Sequence, residues 1–203
     1  MAPEESYRTV SDRGETRFEI RGSEFIGRAA PVRSVEEAEA FIAEITDEHP
    51  DASHTVPAYR VRSGEGILRE WSSDDGEPSG SAGKPVLNVL ERRAIENVVV
   101  VVTRYFGGTE LGVGGLARAY ARGANDAIDA AGMVDREPHV ESEITVEYDD
   151  SGTVRGLIES AGYDFTAEYD EDVRFTVLAP VTESDELLNR VRSATSGRAT
   201  IDR

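Results

Sequence analysis

The chain has 203 residues, 38% of them hydrophobic, and 40 acidic side chains against 22 basic ones, a net charge of −18. This length suits one large domain or two small ones, and the apolar content is enough for a buried core and excludes global disorder. The absence of cysteine excludes disulfides, thiolate metal ligands and a cysteine nucleophile.

Residues 7–21 alternate polar and apolar side chains, Phe18 and Ile20 among them, and predict a strand; residues 24–32 predict a second. Ser34 is placed to cap a helix with Glu36 and Glu37 in its first turn. Ala38, Phe41, Ile42 and Ile45 form the apolar face of that helix, and Pro50 closes it. Residues 54–62 and 66–71 predict a strand pair, with Ser63, Gly64 and Glu65 as the turn. Residues 72–85 have the composition of a loop. Helical spacing returns at Val86, Leu87, Leu90 and Ile95, with Asn97 as the stop. Residues 98–102 are five consecutive valines, the pattern of a strand buried on both faces. A helix is predicted from Leu116 to about Ala131, ending at Gly132. After a linker at residues 136–138, the elements run β (140–148), α (153–161), β (163–169), β (173–181), α (184–193) and β (198–201). That order is the ferredoxin-like βαββαβ unit. The fold class expected is therefore α+β, with domains at 1–135 and 136–203.

Of the 22 basic residues, 21 are arginine and only Lys84 is lysine. Such an acidic surface normally repels acidic partners, and it fits a salt-loving source, because at about 1 M salt the Debye length is only about 3 Å and self-repulsion is weak. Residues 136–203 hold 16 acidic and 7 basic side chains, net −9, whereas residues 70–125 hold 7 and 6, net −1. A stretch kept nearly neutral inside an acidic chain suits contact with an anion, although deeper burial gives the same pattern. No apolar run approaches the roughly 18–20 residues of a membrane span, and the N-terminus lacks a signal-peptide pattern. A cytoplasmic protein without a membrane partner is expected.

Two glycine-rich loops carry the candidate chemistry. Gly83 and Lys84 resemble the end of a P-loop, but Pro78 stands where that motif needs glycine and Pro85 where it needs a hydroxyl. Gly112, Gly114 and Ala117 fit a dinucleotide fingerprint, yet several residues separate them from the preceding strand. A more general anion site survives. A glycine turn feeding a helix N-terminus offers free N–H groups, and Gly107, Gly108, Gly112, Gly114 and Gly115 leave room for close approach. Lys84, Arg104, Arg118 and Arg122 would supply the charge. Asp74, Asp75 and Glu77, with His54, are weaker candidates for Mg²⁺ ligands or for acid–base work; turn formation and ion pairing with Lys84 or a nearby arginine are the simpler explanation. No defined metal-ligand spacing is present, so neither a metal nor a cofactor is expected. Trp71, Tyr105 and Phe106 are candidates for stacking on bases.

The run SDDGEPSGSAGKP from Ser73 to Pro85 and the run VVVTRYFGGTELGVGGLARAY from Val100 to Tyr120 resemble the signature blocks of the YigZ/IMPACT family. FIGRA from Phe25 and SHTVPAYR from Ser53 are similar to further blocks of that family. Members often carry a cysteine shortly after the histidine of the last block, where this chain has Val56. The resemblance implies a prokaryotic, haloarchaeal member of two domains. The first would be a β/α sandwich similar to the second domain of a small-subunit ribosomal protein, and the second would be similar to a ferredoxin-like domain of elongation factor G. It also implies translation control: eukaryotic IMPACT restrains a starvation-activated kinase by competing for its activator, through a further N-terminal domain for which this sequence has no counterpart. The function expected is a translation-associated regulatory or binding protein contacting RNA or the ribosome through residues 72–120, with a protein partner in translation control as a further expectation. An enzyme acting on a phosphorylated or nucleotide-like small molecule is the alternative. Joint removal of Lys84 and Arg104 is expected to abolish the RNA contact without unfolding.

Overall fold

A computed structural model describes residues 6–62 and 67–202. It divides into two compact units, Tyr7–Arg136 and Glu137–Arg203. The predicted turn at residues 63–65, and the first residue of the strand after it, lie outside the described residues. No described helix is long and apolar enough to cross a membrane.

The first unit contains β1 (Tyr7–Val10), β2 (Gly14–Ile20), β3 (Ser23–Pro31), α1 (Val35–Glu48), β4 (His54–Arg62), β5 (Leu68–Ser72), α2 (Gly83–Arg92), β6 (Val98–Tyr105), α3 (Val113–Ala131) and β7 (Met133–Arg136). Five strands form one antiparallel sheet in the order β2-β3-β6-β4-β5. The valine run lies in its central strand and is fully buried. Val98, Val100 and Val102 join the core that holds Leu90, Leu116 and Tyr120, while Val99 and Val101 pack with Phe41 and Ile45 of α1. An antiparallel sheet often leaves one face wet; here helices cover both. Each valine so buried contributes roughly 1.5–3 kcal/mol relative to exposure.

Helix α1 starts as expected, with the Ser34 hydroxyl accepting from the Glu37 amide at 3.2 Å. Helix α3 rests almost directly on the sheet. A Cβ placed on Gly27 would sit 2.3 Å from the Gly123 carbonyl oxygen, and one on Gly14 would sit 2.2 Å from the Ala131 nitrogen. Those glycines permit a helix-to-strand approach that no side chain could share.

Several expected boundaries move. The single strand over 7–21 is two strands, because the chain bends at Ser11 around the end of α3. The Ser11 amide and hydroxyl donate to the Gly132 and Ala131 carbonyls. Strand β1 leaves the main sheet and pairs with β7, a strand the sequence did not announce. Helix α2 begins inside the expected loop and ends at Arg92. Ala94 then turns through φ 51°, so Ile95 is buried from an extended segment rather than from the helix. Helix α3 starts at Val113, three residues before the expected start, directly after Gly112 at φ 70°.

The second unit runs β8 (His139–Val146), α4 (Tyr148–Ala161), β9 (Asp164–Tyr169), β10 (Val173–Pro180), α5 (Val181–Ala194) and β11 (Thr200–Asp202). Its antiparallel sheet has the order β11-β8-β10-β9, and the two helices cover one face. This is the ferredoxin-like arrangement, centred on Ile144, Val154, Ile158, Phe175 and Leu188. Helix α4 begins five residues before the expected start. Asp149 and Asp150 in its first turn complement the positive end of the helix dipole. Gly162 ends the helix at φ 77°.

Candidate functional site

The two loops named from the sequence meet over the exit of β6. Alternation along that strand decides the placement of Arg104. It follows Val98, Val100 and Val102 on one face, beside Phe25 of β3 and His54 of β4 in the sheet register. Its guanidinium is therefore buried. Nη1 donates to the Glu77 carboxylate at 2.6 Å, and Nη2 donates to the Ser23 hydroxyl at 3.3 Å. Tyr120 of α3 donates to the same Glu77 oxygen at 2.7 Å. Burial first, and then this bond to a carboxylate, push the Tyr120 phenol far up, so it stays protonated as a donor. Glu77 is thus the hub joining the 73–82 loop to β6 and α3.

The acidic loop is held by its own carboxylates. Asp74 accepts from the amides of Gly80, Ala82 and Gly83 at 2.7, 3.0 and 2.8 Å. Burial pushes the Asp74 carboxyl up, but the three donated bonds outweigh it and hold the group below the usual carboxylate range. The Asp75 carboxylate accepts from the Thr55 amide at 2.5 Å, and Asp75 and Gly76 turn through the left-handed region at φ 45° and 81°. His54 donates from Nδ1 to the Asp75 carbonyl at 2.7 Å, and its Nε2 lies 3.8 Å from the second Glu77 oxygen. Among the described residues no three His, Asp or Glu side chains are arranged to hold a metal ion. Glu77 is buried and engaged with Arg104 and Tyr120, whereas Asp75 is exposed and has one carboxylate oxygen bound to the Thr55 amide.

The glycine loop joins from the other side. Gly107 is pressed against Gly22; a Cβ on it would fall 1.9 Å from the Gly22 carbonyl. Its amide donates to the Ser23 hydroxyl, and the Phe106 amide donates to Ser53. Gly108 and Gly112 take φ 82° and 70° with nothing near the position of a side chain. Gly114 and Gly115 form the first turn of α3, and Gly112 caps it without any side-chain bond. The first amides of such a helix lack intrahelical partners. Val113 at that start is 60% exposed, and Phe106 at the entry to the loop is 51% exposed. One face of the Phe106 ring carries the Arg104 guanidinium at 5.4 Å.

The four cations proposed to hold an anion do not converge. Arg104 is inside and neutralised by Glu77. Lys84 pairs with Glu91 at 3.0 Å on α2. Arg122 pairs with Asp126 at 3.2 Å and lies over Phe18. Arg118 is exposed, and no described residue forms an ion pair with it. The near-neutral charge of the stretch thus reflects internal pairing as well as burial. Removing Lys84 and Arg104 together would not spare the fold, because Arg104 is a buried partner of Glu77. Sequence reasoning missed Ser23 and Tyr120 as members of the cluster. The available signal for Arg104 was the two-residue period carried on from the valines.

The Impact N-terminal domain family matches residues 21–128, and a domain of unknown function, DUF1949, matches residues 144–198. The IMPACT family member YvyE of Bacillus subtilis is 35% identical over 197 residues, 97% of this chain and 90% of that protein. The IMPACT family member YigZ of Escherichia coli is 33% identical over 180 residues, 88% of each chain. A crystal structure described as that of a hypothetical protein is 30% identical, covers 97% of this chain and 96% of its own, and superposes with a TM-score of 0.74.

Proposed function

This chain belongs to the IMPACT family, and from that premise we propose that it is a translation-associated regulatory protein that contacts RNA or the ribosome through the glycine loop and the start of α3. The observation that carries this reading is Phe106. It is half exposed just past the end of a strand buried from Val98 to Arg104 and is backed on one face by a guanidinium. Every base has a face that an aromatic ring can stack on, and such stacking contributes about 1–3 kcal/mol per base. The uncapped amides of Val113, Gly114 and Gly115, with Arg118 one turn on, supply donors for a neighbouring phosphate. Stacking also suits so acidic a chain, because contacts to phosphate alone weaken steeply as salt rises.

The test is co-sedimentation with ribosomes and with ribosomal RNA. Phe106→Ala removes the ring and its contact with the Arg104 guanidinium but leaves the Arg104–Glu77–Tyr120 hydrogen bonds in place, and Phe106→Ala with Arg118→Ala removes the exposed Arg118 cation as well. The double variant should bind at least tenfold more weakly while losing no more than about 1 kcal/mol of stability, the size of the cation–π contact removed. Unchanged co-sedimentation would sink the RNA contact. Crosslinking that recovers only a protein would replace it with a protein partner in translation control.

A further inference from the structure

On the opposite face of the same sheet, β5 forms an edge, and α1 does not reach over it completely. A cavity of about 440 Å³ opens there, lined by Tyr59 and Val61 of β4, Arg69 of β5 and residues 33–36 at the start of α1. That volume lies within the range of small-molecule sites. The register places Tyr59 opposite Trp71 and Val61 opposite Arg69, so all four side chains share this face. We infer that this cavity binds a nucleoside phosphate, with Arg33 and Arg69 on the phosphate, the Tyr59 hydroxyl donating to it, and the base against Trp71.

Four observations support the assignment. Tyr59 is only 8% exposed, yet its hydroxyl bonds to no described residue. Burial pushes its phenol up, so it remains a neutral donor. The hydroxyl is not sealed from solvent, so an acceptor entering the cavity can reach it. Neither Arg33 nor Arg69 has an ion-pair partner among the described residues, although twelve other arginines do. The nearby Glu36 carboxyl is held below its usual range by its own amide and the Ser34 hydroxyl and further by the charge of Arg69, yet it forms no ion pair with either arginine. Trp71 stacks on Tyr59 at 5.5 Å and 28° while remaining 44% exposed, so part of the indole is open to a second ring. Paired guanidinium groups match phosphate geometry, and an aromatic stack beside them matches a base.

Trp71 is the only tryptophan in the chain, so its fluorescence reports on this cavity directly. The full-length chain is titrated with adenosine 5′-monophosphate, adenosine and inorganic phosphate, at roughly 0.1 M salt and with excitation at 295 nm. The nucleotide should give a saturable change, phosphate should compete for it, and adenosine should bind at least tenfold more weakly. Arg33→Ala with Arg69→Ala should weaken the nucleotide at least tenfold, Tyr59→Phe should weaken it several-fold, and Glu36→Gln should strengthen it. All four positions lie outside the Glu77 cluster, and an unchanged far-ultraviolet circular dichroism spectrum confirms each fold. A flat response to the nucleotide, equal affinity for adenosine, or undiminished affinity in the double arginine variant would overturn the assignment. None of these outcomes bears on the Phe106 surface.

Discussion

Glu77→Gln probes the centre of the first unit most directly. The Glu77 and Arg104 side chains are 3% and 5% exposed, and their atoms meet at 2.6 Å. The substitution keeps shape and removes charge. The guanidinium would then have no counter-charge, only neutral neighbours: the Gln oxygen, the Ser23 hydroxyl at 3.3 Å and the rings of Phe25 and Phe106 at 5.6 and 5.4 Å, while its Nε already lacks a partner. Breaking one member of a buried pair costs about 3–5 kcal/mol. Glutamine still offers an oxygen to Tyr120 and Arg104, which points to the lower end, about 3 kcal/mol. A domain of this size has roughly 5–15 kcal/mol in total. With a urea slope of about 2 kcal/mol/M, the midpoint should fall by about 1.5 M with the slope unchanged. Because buried pairs are screened little, the loss should be similar at about 0.1 and 1 M salt. Adding Arg104→Met should recover part of it, since it removes the uncompensated buried charge that the single variant leaves. A single-variant loss under about 1 kcal/mol, or a double variant no better than the single, would refute a buried, charge-dependent hub.

Neighbouring glycines should differ sharply in the same denaturation assay. Gly107→Ala forces a Cβ into the Gly22 carbonyl and should cost about 3 kcal/mol or more. Gly108→Ala meets only its φ of 82° in open space and should cost about 1 kcal/mol. Tyr120→Phe removes one bond to a charged acceptor and should cost about 1.5–3 kcal/mol, with the Arg104–Glu77 pair kept. Asp74 titrates lower in the folded chain than its ordinary value of about 3.9. Its contribution is therefore complete above that value and lost as pH falls through the lowered one. Asp74→Ala should lower stability at neutral pH and remove part of the acid-side slope of a stability–pH curve. An identical slope in the variant would refute the cap.

Much of this architecture was legible along the chain. The valine run announced a central strand, Ser34 announced α1, and the 3.6-residue spacing in 116–131 announced α3. The whole βαββαβ order of the second unit followed from alternation and turn residues. These features were readable because each depends on neighbours within a few residues. Boundaries were lost where long-range bonds set them. Ser11 bends the chain only because the end of α3 offers it carbonyls, and β7 exists only because β1 lies beside it.

The candidate site divides the same way. The sequence by itself singled out two glycine-rich loops as the candidate site, one carrying Asp74, Asp75 and Glu77 and the other opening α3. Composition could not say which charges face water. A two-residue period turns Arg104 inward, and Glu77 crosses from a loop 27 positions away to meet it. Tertiary structure alone decided that, because an ion pair between distant positions neutralises both partners and removes them from the surface. What it left at the surface is Phe106, Arg118 and a row of uncapped amides.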